Sequence, residues 1–415
     1  MKKVLYITYD GLTDPLGQSQ ILPYLRHLSQ QGYQFTILSF EKKARYQKEG
    51  ALIKSITESY GINWAPLFFT ANPPILSKMY DRHQMWQTVL SLHKKHKFDL
   101  THCRSYIAAE MGLRLKQRFG VKFLFDMRGF WADEKVDNGQ WNLKKPLYKY
   151  IYQHYKKKEA EFLLKADGIV SLTQAGKEYI LGQKAYRNLS ISVIPCCADL
   201  QHFNYQAVSE EEVNKQKAHL GIPAQAKVIT YLGSVGGWYM TKEMFDFFAL
   251  LSAKYPEYVM LVLTKDDPEI VKQEAERSGV LPEKLFVTYS TRQQLPAYLG
   301  MCESSVFFIR PTFSKKASSP TKHAELMGMG IPVVCNDIGD TGNIIHATQT
   351  GILINKFDRE ELVNGVEQYE RLQEVSKATI RASAQQLFDL EAGSEKYLQL
   401  YRTILENPKA PTNYS

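Results

Sequence analysis

Cysteine is scarce: five residues in 415, Cys103, Cys196, Cys197, Cys302 and Cys335, with no zinc-type spacing among them. The odd number and the adjacent pair Cys196 and Cys197, poorly placed to bridge each other, argue against a disulfide scaffold and for reduced thiols. Long apolar runs are also lacking. No stretch approaches the roughly 18 residues of a membrane span, and the opening MKKVLYITYDGL turns polar within a few residues, unlike a signal peptide. The chain is therefore expected in the cytoplasm. There is no tandem repeat, no low-complexity tract and no recognised nucleic-acid motif. Neither DGLTDPLGQSQ nor GSVGGW has the glycine spacing of a dinucleotide fingerprint, which counts against a nicotinamide enzyme.

What is present describes a folded, enzyme-sized protein. Apolar residues make up 44% and charged residues 23% of the chain, close to soluble globular averages. A length of 415 residues exceeds one ordinary core, so two domains are the default. Charge is unevenly spread: residues 1–200 hold 30 Lys+Arg against 17 Asp+Glu, or +13, and the remainder hold 22 against 26, or −4. Such asymmetry points to a polyanion or an anionic membrane surface as a partner of the basic half.

Short β-rich runs alternate with amphipathic stretches from the start: KVLYITY (3–9), a helix over ILPYLRHLSQQG, FTILSF (35–40), FDLTHC (98–103), KFLFDM (122–127), ADGIVSLT (166–173) and LSISVIP (189–195). Alternation of this kind predicts parallel sheets with helices between the strands. The polar stretch from Ala198 to Gln216 reads as a linker, with a boundary near residue 205. The pattern then restarts with KVITYLGS (227–234), YVMLVLT (258–264), LFVTYS (285–290), SSVFFIRP (304–311), IPVVCND (331–337) and GILIN (351–355). This predicts an α/β protein with doubly wound Rossmann-like domains at 1–204 and 205–390. A helix over 391–415, with Tyr397, Leu398, Tyr401 and Leu405 on one face, is expected to cross back to the first domain.

In open parallel sheets ligands bind beyond the carboxyl ends of the strands, at helix N-termini whose free N–H groups attract anions. The strongest candidate is SSPTKHAELMGMGIPVV (318–334), preceded by Lys315 and Lys316. Ser319 suits an N-cap and Pro320 the first helical position. Ser318, Ser319 and Thr321 would then present donors to a phosphate, Lys322 would add a cation, and Glu325 would accept from ribose hydroxyls. A capped helix with surface lysines explains the same letters without a ligand.

This segment, with its helix glutamate followed by Gly-Ile-Pro-Val-Val, resembles the family-4 glycosyltransferases of the GT-B fold, and the resemblance extends over nearly the whole chain. It implies two Rossmann-like domains facing across a cleft, a UDP- or GDP-linked sugar donor held by the second domain, no metal or other cofactor, and retention of anomeric configuration. Glu325 takes the place of the glutamate that contacts the donor ribose, and Pro320-Thr321-Lys322 looks like the family's Pro-Ser-Lys variant. Two features depart from the pattern. Ala317 stands where an earlier glutamate commonly contacts the sugar, and GSVGGWYMTKEM (233–244) has Ser234 in place of the diphosphate-binding Arg, with no lysine before Lys242. Gly233, Gly236 and Gly237 leave room for a backbone cradle in its stead. IPCCADLQHF (194–203) matches the family's domain-crossing signature at Pro195, Asp199 and Phe203.

In the first half, Gly17 and Gln18 lie in a loop that the resemblance puts beside the donor phosphates and the acceptor. Arg128 stands where the family often has a histidine and is a candidate for the phosphate or sugar, with an ion pair to Asp126 or Asp133 as the alternative. Trp131, Asp133 and Glu134 combine rings and carboxylates as sugar recognition does, and Arg104 is a further acceptor candidate. His102 reads as a core histidine. No Asp-x-Asp of metal-using sugar transferases occurs, and Asp266 and Asp267 read as solvated loop residues. Arg128, Lys322 and Glu325 are thus the candidate catalytic groups. The acceptor is expected to be a glycan or lipid-linked glycan. Two rivals are a nucleotide-sugar epimerase of the same fold and a noncatalytic anionic-surface binder. Lys144, Lys145, Lys149 and Lys156 to Lys158 are the densest candidates for peripheral contact with an anionic membrane.

Overall fold

The alternation of strands and helices resolves, in the computed structural model, into two parallel sheets; the structure describes residues 1–406. The first sheet contains β1 (Lys2–Thr8), β2 (Tyr33–Glu41), β3 (Asn63–Phe68), β4 (Leu100–Arg104), β5 (Lys122–Asp126), β6 (Gly168–Ser171) and β7 (Ile191–Val193). Their order is β3-β2-β1-β4-β5-β6-β7, all pairings parallel. The second contains β8 (Lys227–Leu232), β9 (Tyr258–Leu263), β10 (Leu285–Thr288), β11 (Ser304–Phe307), β12 (Val333–Cys335) and β13 (Gly351–Leu353), in the order β10-β9-β8-β11-β12-β13. Both orders reverse beside the first strand of their sheet, which makes each a doubly wound unit with its ligand edge at the strands' carboxyl ends.

The helices of the first half are α1 (Pro15–Gln20), α2 (Leu22–Gln30), α3 (Lys43–Ser59), α4 (Pro74–His96), α5 (Ser105–Phe119), α6 (Trp131–Asp137), α7 (Pro146–Lys165) and α8 (Gln174–Leu181). Those of the second half are α9 (Glu210–Leu220), α10 (Thr241–Lys254), α11 (Pro268–Arg277), α12 (Leu295–Gly300), α13 (Thr321–Gly328), α14 (Thr341–Thr348), α15 (Arg359–Glu367), α16 (Tyr369–Gln373) and α17 (Lys377–Phe388), followed by α18 (Leu390–Glu406).

Central strands such as VLYI in β1 and VMLV in β9 are apolar on both faces and fully buried, as parallel strands covered by two helix layers must be. The edge strand β3 has no counterpart among the sequence-predicted strands. Its NWAPLF is only half-buried and carries Pro66, a residue that sheets tolerate at an edge and that weakens a strand signal in sequence.

Two units divide the chain: Met1–Pro195 with Leu390 onward, and Cys196–Asp389. The junction thus falls about ten residues before the expected boundary near residue 205. Leu200 and Phe203 lie in the apolar core of the second unit, so the supposed linker is part of that unit. Asp199 accepts from the amides of Gln201 and His202 at 3.1 Å, and Arg381 donates to the carbonyls of Leu200, Phe203 and Gly328 at 2.6–2.7 Å. The crossing segment is fastened by a carboxylate turn and one guanidinium.

The last helix, α18, belongs to the first unit. Tyr397, Leu398, Tyr401 and Ile404 form its buried stripe. Tyr397 packs edge-on against Tyr24 of α2, ring centroids 5.6 Å apart. Residues 407–415 of the expected helix lie outside the described residues.

Candidate active site

In the second unit β11 leads through a short 3₁₀ turn (Phe313–Ala317) into α13. The helix begins at Thr321 with Pro320 as its N-cap and without a side-chain cap. Ser319 is therefore not the N-cap that its sequence position suggested. Its hydroxyl instead accepts from the Cys196 amide at 3.1 Å, a competing backbone donor that removes it from the helix end. Ser318 and Thr321 are half-buried at the start of the helix, whereas Lys316 is exposed on the preceding turn, 5.7 Å above the Phe313 ring. Lys315, the neighbour in sequence, is the buried one, with Nζ 3.7 Å from the Trp238 ring centroid.

Lys322 is the distinctive group. Its side chain is buried, with Nζ 3.8 Å from the ring centroid of Tyr239, 4.5 Å from that of Tyr231 and 3.5 Å from the Tyr231 hydroxyl. It takes part in none of the ion pairs found among the described residues. Burial draws its ammonium down from the ordinary lysine range to about 7, with Glu325 one turn away pulling the other way. Aromatic faces offset only part of the desolvation of a cation. A full counter-charge at this point is what the surroundings omit.

Glu325, also buried, accepts from Nη1 of Arg292 at 3.1 Å. Burial raises its carboxyl, while Arg292 and Lys322 oppose the shift. Arg292 lies over the Phe203 ring at 5.1 Å, and its carbonyl is 2.9 Å from Nε2 of His202. Sequence reading found neither Arg292 nor the two tyrosines: they come from β8, the loop after it and the loop after β10. Tyr231 alone had a signal, as a polar-tipped aromatic near the carboxyl end of the strand KVITYL.

The glycine loop after β8 approaches this site through Gly233. At φ +134° it has a conformation that L side chains rarely adopt, and a Cβ there would sit 2.6 Å from Nζ of Lys322. Gly236 and Gly237 also have positive φ. The open amide cradle expected here is, however, largely closed on itself. Gly233 N donates to the Leu263 carbonyl at 3.0 Å, Val235 N to Asp266 at 2.5 Å and Gly236 N to the Thr241 hydroxyl at 2.8 Å. Asp266, read from sequence as a solvated residue, seats its carboxylate on the loop where an external anion was expected.

In the first unit Gly17 fits where the chain doubles back: a Cβ would lie 2.3 Å from the Gly11 carbonyl oxygen and 2.5 Å from Cα of Leu12. The loop is organised by Glu41, at the end of β2, which accepts from Leu12 N at 2.7 Å, Thr13 N at 3.1 Å, the Thr13 hydroxyl at 2.5 Å and the Ser39 hydroxyl at 2.6 Å. Glu41 was not singled out from sequence. Gln18 bonds to Glu49 and, at 3.4 Å, to the Thr13 carbonyl.

Arg104, at the carboxyl end of β4, pairs with Asp10 at 3.2 Å, and Arg128, just beyond β5, lies 3.9 Å from Asp126. Asp126 is fully buried and also accepts from Tyr397 at 3.0 Å; His102 Nε2 is 3.3 Å away. Burial pushes the Asp126 carboxyl up, but Arg128, His102 and Arg104 outweigh it and hold it below the ordinary range. His102 is a core residue, its Nδ1 2.6 Å from the Tyr401 hydroxyl.

Trp131, Asp133 and Glu134 do not form the expected ligand loop. They lie on α6, where Asp133 and Glu134 stand in the first turn and favour the helix dipole. Trp131 packs edge-on against Trp141 and Tyr155, centroids 5.4 and 4.8 Å apart. Asp133 accepts from the Tyr152 hydroxyl at 2.8 Å and from Lys156 at 2.9 Å. Among the described residues no cluster of three or more His, Cys, Asp or Glu side chains could hold a metal ion.

Two family models match the chain in tandem, Glycosyltransferase Family 4 over residues 20–202 and Glycosyl transferases group 1 over residues 212–386. The chain belongs to these family-4-type glycosyltransferases, and its two doubly wound units are those of the GT-B fold. A protein of Bacillus subtilis described as the teichuronic acid biosynthesis glycosyltransferase TuaC is 22% identical over 54% of the chain, and the match spans only about half (53%) of that relative's length. The D-inositol 3-phosphate glycosyltransferase of Segniliparus rotundus is 22% identical over 75% of the chain and 68% of its own. Among solved structures, the Anabaena protein Alr3699/HepE in complex with UDP-glucose superposes with a TM-score of 0.70, 15% identity, and coverage of 98% of this chain and 100% of its own. No helix of the described residues is long and apolar enough to cross a membrane.

Proposed function

We propose that this glycosyltransferase takes its sugar from a UDP- or GDP-linked donor bound in the second unit, and transfers it to a glycan or lipid-linked glycan acceptor with retention of configuration. The observation that carries the reading is Lys322: an ammonium buried among Tyr231 and Tyr239, without an ion pair, against a glycine whose Cβ would displace it. A diphosphate is the counter-charge this cation fits. As the glycosidic bond breaks, negative charge grows on the departing diphosphate, and a fixed ammonium stabilises that charge more than the ground state. The α13 N-terminus adds its dipole. Glu325 receives the ribose hydroxyls, and Arg292 holds its carboxylate in place between turnovers.

Lys322 supplies in this reading the positive charge that a divalent ion supplies elsewhere, so transfer proceeds without added metal. Support for a nucleotide-sugar donor also comes from the likeness to a protein solved with UDP-glucose. The decisive experiment incubates the protein with UDP- and GDP-sugars and a panel of glycan and lipid-linked acceptors in the presence of chelator. Transfer with release of nucleoside diphosphate is expected. Donor isomerisation without transfer would instead identify an epimerase, and complete loss of activity reversed by magnesium would remove the metal-free mechanism.

A further inference from the structure

Lysine clusters on α7 differ in what they touch. Lys156 bonds to Asp133 and Glu159 at 2.9 and 2.6 Å, and Lys158 to Glu161 at 2.8 Å; these charges are neutralised inside the unit. Lys144, Lys145 and Lys149, at the start of the helix, are exposed and form none of the ion pairs found. Gly139–Tyr150 contains no carboxylate at all. Lys157 is exposed and in none of the ion pairs found among the described residues, but the free positive charge is densest at the N-terminal end of α7, two or more turns before it.

Apolar side chains are exposed at the same place. Leu143 precedes the helix, and Leu147 and Tyr150 follow one turn apart at 52% and 69% exposure. On α4, Leu76, Met79 and Tyr80 repeat the arrangement at i, i+3 and i+4, with 62%, 61% and 57% exposure, around Lys78. Six of the fifteen large apolar side chains exposed among the described residues fall in these two short segments. Lys78 itself is ion-paired with the buried Asp81 at 3.9 Å, so the unpaired charge lies on the α7 side. Scattered apolar exposure is ordinary, but its concentration in two short segments, one of them beside unpaired lysines, marks an interaction surface.

Topology puts the two segments at one end of the unit. The right-handed crossovers from β3 to β4, β4 to β5 and β5 to β6 place α4, α5 and α7 on one face of the sheet. All run from its carboxyl edge, so their N-termini emerge together. The ion pair Arg82–Glu110 fastens α4 to α5, and the Tyr106–Glu159 hydrogen bond fastens α5 to α7.

We propose that the N-terminal turns of α4 and α7 form a docking surface for an anionic phospholipid bilayer. Leu76, Met79, Leu147 and Tyr150 enter the headgroup boundary while Lys144, Lys145 and Lys149 contact lipid phosphates. Leucine, methionine and tyrosine beside lysine, with no carboxylate between, is the composition that interfacial helices use. The same lysines offer charge complementarity to lipid phosphates. The assignment concerns the first unit alone and does not depend on the donor reading.

The test is cosedimentation of the full chain with vesicles of phosphatidylcholine, with and without phosphatidylglycerol. Sedimentation is expected only with the anionic vesicles, weakening in high salt as screening shortens the reach of charge. Lys144→Glu/Lys145→Glu/Lys149→Glu and, separately, Leu147→Glu/Tyr150→Glu should each lower the vesicle partition coefficient at least tenfold, with unchanged thermal melting and UDP binding. Wild-type protein that stays in the supernatant with anionic vesicles would overturn the proposal. So would lysine variants, substituted only at exposed positions, that sediment like wild type. Failure of the donor reading would show itself differently, as absence of both UDP and GDP binding in protein that still sediments.

Discussion

Gly233 and Lys322 are complementary in shape: the space a Cβ would occupy at the glycine is taken by the ammonium, 2.6 Å away. Gly233→Ala therefore has two effects. It strains a backbone at φ +134°, at a cost of about 1–3 kcal/mol, and it pushes Nζ from between the tyrosine rings. The expected result is a loss of affinity for nucleoside diphosphate of about tenfold or more, measured by calorimetry, exceeding any change in affinity for the nucleoside. Equal loss for both ligands would mean that the substitution only loosens the loop.

Lys322 should also make diphosphate binding depend on pH. Its ammonium titrates near 7 in the free protein because of burial, and a bound diphosphate raises it again, so binding above pH 7 takes up a proton. Between about pH 7.5 and 9, where the ligand's phosphates are fully ionised (second pKa about 6), affinity should fall by up to tenfold per unit. Lys322→Met should abolish the dependence. Stability moves oppositely. The folded value lies below the ordinary 10.5, so the unfolded chain binds more protons between about 7 and 10.5. Wild type should gain stability relative to Lys322→Met across that window, and below it bear the whole cost of the buried charge. Calorimetry in buffers of different ionisation enthalpy reads the proton uptake directly.

The sequence made some of this legible and some not, for physical reasons. Lys322 and Glu325 stand one helical turn apart behind a buried strand, a local pattern that spacing alone reveals. Ser319 was misjudged because its competitor, the Cys196 amide, is 123 residues away. Arg292 reaches Glu325 over 33 residues from a loop with no periodicity, and Tyr239 faces Lys322 only through the course of the glycine loop. The alternation of strands showed the doubly wound architecture, yet half-buried β3 gave no such signal. On α6, the carboxylates and rings that suggested sugar contacts also describe a helix with an acidic first turn and a face packed on aromatics, a placement that depends on Trp141, Tyr152 and Tyr155 from beyond the helix.

Glu325→Ala is expected to weaken donor binding by about 1.5–3 kcal/mol, the scale of hydrogen bonds to a charged group. Glu325→Gln should lose less, because the amide oxygen still accepts from a hydroxyl. If the ribose is the partner, the loss will be smaller for a 2′,3′-dideoxynucleoside diphosphate than for the ribonucleotide, since the hydroxyls are already missing. Identical losses for the two ligands would leave Glu325 as a structural mate of Arg292.

In the first unit, α18 closes on a buried carboxylate, and this makes a prediction about stability. Tyr397 donates to Asp126 at 3.0 Å, and Tyr401 lies 2.6 Å from Nδ1 of His102, which faces the same Asp126 oxygen at 3.3 Å. Tyr397→Phe removes one charge-assisted donor and should cost about 1.5–3 kcal/mol in denaturant unfolding. The Asp126 carboxyl is held below its ordinary 3.8 in the folded protein, so its contribution is complete above that value and disappears as pH falls through the lower folded value. Tyr397→Phe should narrow this acid-labile contribution, and a cycle with Asp126→Asn should show coupling, because the two substitutions remove opposite ends of one bond. Additive effects would mean that Tyr397 stabilises α18 by packing on Tyr24 alone, with the carboxylate satisfied by Arg128 and His102.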